Sequence, residues 1–130
     1  MKSKFISIII PVFNEQGNIE SLYKKLKSVL GRVKHEIIFV DDGSTDGTPD
    51  IISKLKNKDK HVRSIISRRN FGKSAALAAG LKNSTGEIII TMDGDLQDDP
   101  SDISKFLEKI NKGYDLIVGW KPRKYRWYNL

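Results

Sequence analysis

The sequence predicts an α/β domain built on a mostly parallel sheet with helices on both faces. Three observations lead there. Short, apolar, β-branched runs alternate with stretches whose apolar residues recur at helical spacing. The segments between them are short, and a helix between two successive apolar strands forces a crossover and hence parallel pairing. Polar clusters close three of the runs: Asn14-Glu15, Asp41-Asp42-Gly43-Ser44 and Asp93-Gly94-Asp95-Leu96-Gln97. In parallel sheets, ligands sit outside the strand ends.

Ile6–Val12 is a β-branched run ending at Pro11 and Asn14, short and apolar enough to be a strand buried on both faces. From Asn18 the spacing turns helical through Ile19, Leu22, Leu26, Val29 and Leu30, with Gly31 as C-cap. Residues 36–40 form a second strand. Thr45 or Thr48 is the expected N-cap of a helix running to about Asn57, with Pro49 in its first turn. Val62–Ile66 is a third strand. Residues 74–82 are alanine-rich and predict a closely packed helix. Residues 86–92 are a fourth strand, Ser101 caps a helix to about Asn111, and residues 114–118 are a fifth strand. The order βαβαβαβαβ is Rossmann-like, without internal repeat or low-complexity linker.

Composition narrows the chemistry. The chain has 130 residues, enough for one domain with a real core and too few for two. It has no cysteine, which excludes disulfide scaffolds, thiolate zinc sites and cysteine nucleophiles. The net charge of +7 predicts an anionic partner, and Lys121, Arg123, Lys124 and Arg126 supply four of those charges. No apolar run approaches the roughly 20 residues of a bilayer span, and the first four residues run into a strand without a signal-peptide pattern.

The strand-end clusters carry the chemistry. Asp93 and Asp95 flank a glycine just after a buried strand, and residues i and i+2 of an extended stretch point the same way. Two carboxylates with open positions suit Mg²⁺ or Mn²⁺ on a diphosphate, and Gln97 continues the spacing as a neutral oxygen donor. The same cluster also reads as an aspartate-rich turn capping the next helix. Asp98 and Asp99 lie beside it, and so many neighbouring acids repel one another unless a cation is present. The segment 41–47 imitates an EF-hand loop, but Ser53 stands where the bidentate glutamate is needed and a strand precedes it. It reads as a turn and N-cap, or as an aspartate accepting from a base N–H or ribose hydroxyl. Gly72-Lys73-Ser74 resembles the end of a phosphate-binding loop, but Ser67 replaces the required first glycine. No G-x-G-x-x-G follows the first strand either. Arg68, Arg69, Asn70 and Lys73 remain candidates for phosphate oxygens, or form a solvated basic loop. His35 and His61 lack an acidic partner at triad spacing and read as surface residues. The basic–aromatic end, with Trp120, Tyr125, Trp127 and Tyr128, reads as the unfinished part of a longer domain.

In order along the chain, Ile8-Ile9-Ile10-Pro11-Val12-Phe13-Asn14-Glu15, Val40-Asp41-Asp42-Gly43-Ser44-Thr45-Asp46-Gly47-Thr48, Arg69-Asn70-Phe71-Gly72-Lys73 and Asp93-Gly94-Asp95-Leu96-Gln97-Asp98-Asp99-Pro100 resemble the motifs of family 2 glycosyltransferases with the GT-A fold. The form is nearest the polyprenyl-phosphate branch, which includes dolichyl-phosphate mannose synthases and undecaprenyl-phosphate sugar transferases. The resemblance implies the N-terminal, nucleotide-binding half of that fold. Pro11, Val12, Phe13, Asn14 and Glu15, with Asp42 and Asp41, would hold the base and ribose of a UDP- or GDP-sugar. Asn70, Gly72 and Lys73 would complete the pocket. Asp93, Gly94 and Asp95 would face the diphosphate, with Asp93, Asp95 and Gln97 holding Mg²⁺ or Mn²⁺ and Asp93 and Asp95 serving as the catalytic pair. Inverting hexosyl transfer to an acceptor such as a lipid phosphate follows, with Arg123 positioning that acceptor. Members of the family continue past this length, so the expected chain is a donor half that transfers poorly alone. A cytoplasmic place at the inner face of the plasma membrane, in cell-envelope synthesis, with membrane attachment through a further C-terminal part, is implied for the full protein. An exposed edge after the last strand would favour self-association.

Three other readings compete. A non-catalytic nucleotide-binding module would not need the intact Asp93 and Asp95. A nucleotidyltransferase would carry a basic glycine-rich loop where Phe13-Asn14-Glu15-Gln16-Gly17 stands. A nucleic-acid-binding domain is suggested by charge alone, and no nucleic-acid recognition motif is present.

Overall fold

The computed structural model describes residues 4–113. The chain divides into two compact units, residues 1–100 and 101–130. In the first, β1 (Ile6–Val12), β2 (His35–Asp41), β3 (Val62–Ile66) and β4 (Ile88–Thr91) form one sheet in the order β3-β2-β1-β4. Every pairing is parallel, with Ile9 opposite Ile38 and Val12 opposite Asp41. Helices α1 (Ile19–Leu30), α2 (Thr48–Lys58) and α3 (Lys73–Asn83) make the crossovers. The expected fifth strand lies outside the described residues. No helix among the described residues is long and apolar enough to cross a membrane.

The two central strands explain why the sheet is buried. Every residue of β2 is buried, and all of β1 except Pro11. On one face Ile9, Ile38 and Val40 pack with Ala76 of α3. Successive side chains alternate across a strand, so Ile8, Ile10, Ile37 and Phe39, all fully buried, face the opposite side. There α1 and α2 pack on each other, with α2 also against β2 and β3. The steps β1→β2→β3 run one way and β3→β4 runs back across, which puts α3 on the other face under the right-handed crossover rule. The alanine-rich α3 lies close to the sheet: a Cβ at Gly80 would collide with Ile9 and stand 3.2 Å from Val40 Cγ2.

Several boundaries differ from the sequence expectation. The cap of α2 is Gly47, because Thr48 is already helical and its Oγ1 accepts the Glu15 N–H at 2.9 Å, while the Thr45 N–H goes to Asn14. The fourth strand is shorter than 86–92, because Gly86 turns to donate its N–H to Ser7 Oγ at 2.8 Å.

A 3₁₀ turn (Pro100–Asp102) precedes α4 (Ile103–Asn111), the helix of the second unit. Asp102 is its N-cap residue, not Ser101, and carries an i,i+3 ion pair to Lys105 at 3.7 Å.

Candidate functional site

The strand order reverses direction at β1, between β2 and β4, and the crevice of a parallel sheet opens at such a switch point beyond the strand ends. A cavity of about 310 Å³ lies there. It is lined by Pro11, Val12, Phe13 and Glu15 after β1, Asp42 after β2, Asn70, Gly72, Lys73 and Ala76 around the start of α3, and Asp93, Gly94 and Asp95 after β4.

The loops that shape it are tied to one another. Asn14 adopts a left-handed φ of 52°. Its N–H donates to Ser44 Oγ at 2.9 Å and its Oδ1 accepts the Thr45 N–H at 2.8 Å. Gln16 Oε1 accepts the Gly47 N–H at 2.8 Å. The loop after β1 is thus laced to the loop after β2. The loop after β2 is in turn pressed on the loop after β3. Gly43 has φ 78°, and a Cβ there would sit 2.6 Å from the Asn70 nitrogen, so no side chain fits between them.

Asp42 and Asp41 are both buried but serve differently. Asp42 accepts the Phe71 N–H on Oδ1 at 2.8 Å and the Gly72 N–H on Oδ2 at 2.9 Å. Asp41 Oδ1 accepts the Ser44 N–H at 2.9 Å. Its Oδ2 is buried and has no hydrogen-bond partner among the described residues.

After β4 the chain turns. Gly94 is buried, and a Cβ on it would stand 2.6 Å from Val12 Cγ1, so its role is close packing on the end of β1. Leu96 has φ 65°. The chain is already in a turn at 94–95, so the extended i, i+2 spacing does not hold past Asp93, and Gln97 does not continue the line of Asp93 and Asp95. It is exposed, and its N–H donates to Asp95 Oδ1 at 3.1 Å. The Asp93 N–H is held by Asp98 Oδ2 at 2.8 Å. The Asp93 carboxylate takes an ion pair from Lys73, the first residue of α3.

Of the predicted site residues, the cavity gathers all but Asn14, Asp41 and Gln97, and it adds Ala76. Asn14 spends its side chain on the neighbouring loop, and Asp41 is tucked under the strand end. Arg68 and Arg69 do not line the cavity; the Arg69 guanidinium stands 4.7 Å over the Phe71 ring. Arg123 lies outside the described residues. Asp93 and Asp95 offer two carboxylates on an open cavity. Among the described residues no group of three or more His, Cys, Asp or Glu stands ready to cage a metal. That donor set fits a hard cation such as Mg²⁺ or Mn²⁺, which keeps waters and takes substrate phosphate oxygens, and does not fit an all-protein cage.

At the opposite end of the strands lie two polar networks that sequence reasoning did not find. Glu36 is buried. Its Oε1 accepts from Ser7 Oγ at 2.7 Å, from the Thr85 N–H at 2.8 Å and from Thr85 Oγ1 at 3.1 Å, and its Oε2 pairs with Arg63 at 2.9 Å. Burial alone would raise this carboxyl, but the hydrogen bonds from Ser7, Thr85 and Arg63 outweigh it and hold it below its ordinary value. The second network centres on Asp59, which accepts from Tyr23 Oη at 2.7 Å, the His61 N–H at 2.9 Å and Lys27 at 3.0 Å. Against the pull of burial, these bonds hold Asp59 well below the carboxylate range, while burial and the bond to Asp59 push the Tyr23 hydroxyl up to about 12. His61 is exposed, as expected, but His35 is buried and not a surface residue. It stacks on His61 with centroids 5.2 Å apart. The Lys27 ammonium can only donate, so His35 Nε2 accepts from it at 3.0 Å and Nδ1–H donates to Val33 O at 2.7 Å. Burial lowers its pKa.

Comparison with known proteins places this arrangement. The model of the family described as glycosyl transferase family 2 matches residues 7–126. Undecaprenyl-phosphate 4-deoxy-4-formamido-L-arabinose transferase of Klebsiella pneumoniae is 36% identical over 118 residues, covering 88% of this chain and 36% of the relative. The Pseudomonas syringae protein of the same name is 36% identical over 117 residues, with coverage of 88% and 35%. The chain thus spans about a third of the length of the curated relatives it matches. Among solved structures, a mannosyltransferase from Pyrobaculum calidifontis in complex with GDP-Man and Mn²⁺ aligns with a TM-score of 0.67 at 28% identity, over 73% of this chain and 28% of that one. S. aureus TarS in complex with UDP-GlcNAc aligns at 0.69 and 26%, over 82% of this chain and 31% of that one.

Proposed function

The chain belongs to glycosyl transferase family 2, and on that premise we propose that it is the donor-binding part of an inverting glycosyltransferase, taking a UDP- or GDP-hexose together with a divalent cation. The observation that carries this reading is the cavity at the switch point. It joins an exposed aromatic ring (Phe13), buried acceptors (Asp42), a cation (Lys73) and two carboxylates (Asp93, Asp95) from four separate strand-end segments. No single segment could hold a base, a diphosphate and a cation at once.

The residues divide the work by chemistry. Phe13, 43% exposed on the cavity edge, offers a face on which a base can stack. Asp42 fixes the Phe71–Gly72 backbone and so sets the floor on which ribose and phosphate lie. Asn70 and Gly72 line the cavity beside the first turn of α3, whose N–H groups lack intrahelical partners and favour an anion. Asp93 and Asp95 would hold Mg²⁺ or Mn²⁺, with Gln97 reaching it only if its loop turns inward. The cation, when bound, supplies charge stabilisation to the departing nucleoside diphosphate. For the whole protein the acceptor is a polyprenyl phosphate, in keeping with the names of the relatives. Such a phosphate is already anionic and attacks without a general base. The full protein then works at a membrane surface. The neighbours' ligands, GDP-Man with Mn²⁺ and UDP-GlcNAc, support the donor class and leave both bases open.

The test is isothermal titration of UDP, UDP-glucose and GDP-mannose, each with Mn²⁺ and with EDTA, on the chain and on Asp95→Ala. Metal-dependent binding that weakens at least about tenfold, or about 1.4 kcal/mol, in the variant is expected. Binding indifferent to both EDTA and the substitution would overturn the reading.

A further inference from the structure

The acids after β4 crowd together, and the structure answers that crowding with a cation of its own. Lys73 reaches from the start of α3 across the cavity to Asp93 on the far rim, an ion pair between segments 20 positions apart. The Asp93 backbone is separately pinned by Asp98, so the carboxylate is presented from a fixed point. The lysine is the more exposed partner: its side chain is 56% exposed, against 29% for Asp93. Lys73 is also the first residue of α3, where N–H groups lack intrahelical partners and an anion is favoured. One flexible ammonium therefore stands within reach of two anionic positions, the Asp93 carboxylate and whatever anion docks at the helix start.

We infer that Lys73 is a resident counter-ion which a divalent cation must displace from Asp93, and that its ammonium, once displaced, pairs with the diphosphate of the donor. This rests on the donor-site reading given above. An ammonium and a divalent cation repel at the same carboxylate, so each occupancy opposes the other. A four-carbon stem with a point charge can swing between positions where a rigid guanidinium fork could not. The result is coupling: the metal releases the lysine, the lysine binds the phosphate, and each ligand raises the affinity for the other by the same factor.

The experiment measures Mn²⁺ binding alone, by the paramagnetic resonance signal of free Mn²⁺, and UDP and GDP binding by calorimetry with and without Mn²⁺. It uses the chain, Lys73→Met and Lys73→Arg, with circular dichroism as the folding control. In Lys73→Met, Mn²⁺ alone is expected to bind about fivefold tighter, nucleotide about tenfold weaker, and the mutual enhancement to fall severalfold, to what the direct metal–phosphate contact alone supplies. Lys73→Arg restores the charge and with it the weak Mn²⁺ binding. Mn²⁺ affinity that is unchanged or weaker in Lys73→Met overturns the displacement. Enhancement undiminished in Lys73→Met overturns the coupling. If the unsubstituted chain binds Mn²⁺ but no nucleotide, the donor-site reading fails, and the tightening of Mn²⁺ in Lys73→Met still decides the displacement.

Discussion

The two ends of the parallel sheet bury the same chemical group and use it in opposite ways. At the start of the strands, Glu36 is surrounded by donors from β1, β3 and the turn before β4, and each of its oxygens is engaged. At the finish, Asp42 is engaged only by the backbone of a loop, Asp41 keeps one oxygen unpartnered among the described residues, and Asp93 is held by a half-exposed lysine. A buried acid held by fixed strands is a structural brace. A buried acid held by loops beside a cavity can exchange partners. The difference teaches that burial of a carboxylate does not mark a site; whether strand side chains or cavity-side loops satisfy it does.

The largest expected effect lies at the closed end. Glu36→Gln should cost about 2–3 kcal/mol of stability by urea unfolding, because it breaks the Arg63 pair and disturbs three other bonds. Nucleotide binding by the folded protein should be unchanged. The Glu36 carboxyl sits below its ordinary 4.5, so its contribution is present above that pH and is lost as pH falls through the folded value. The variant should therefore flatten the acid limb of the stability profile. A loss of nucleotide affinity with no loss of stability would break the contrast between the ends.

A smaller effect, opposite in kind, belongs to Asp42. Asp42→Asn turns an amide N–H toward one of the two backbone donors it now accepts. Calorimetry should find nucleotide affinity down about tenfold, near 1.4 kcal/mol, with a stability loss of about 1–2 kcal/mol. Stability falling further than for Glu36→Gln would show that the open end braces the fold as much as the closed end does. The smallest effect is at Asp41. Asn there keeps an oxygen for Ser44 and removes a poorly satisfied buried carboxylate. Thermal unfolding should register a change within about 0.5 kcal/mol, or a slight gain. A loss above about 2 kcal/mol would mean that Asp41 is braced like Glu36 and would erase the distinction.

Much of this frame is legible in the sequence, and the reason is local. Ile6–Val12 is an apolar run bounded by turn residues, and Gly31 ends α1 with φ 51°, so their limits follow from neighbours along the chain. The strand-end acids and Lys73 are legible too, because strand ends in a parallel sheet point one way, whereas Pro11, Val12, Phe13 and Gly72 enter as site residues through the family resemblance. What escaped depends on remote partners. Nothing near His35 announces that Lys27 and His61 will cover it, and nothing near Asp42 says that its oxygens go to Phe71 and Gly72. Asp93 and Asp95 do reach one cavity, but through a turn at 94–95 and not by the extended i, i+2 spacing, which is why the spacing fails at Gln97.

The close approach at Gly43 has a consequence for anyone who would retune this protein. The backbone of Arg69 and Asn70 fills the place of a Gly43 side chain, and Asp42 next door grips Phe71 and Gly72. These two stretches are one casting in two pieces. A library that randomises 68–72 while holding 42–44 fixed would mostly sample misfits, and so would the reverse. Exchange of specificity between relatives should succeed when both stretches are transplanted as a matched set.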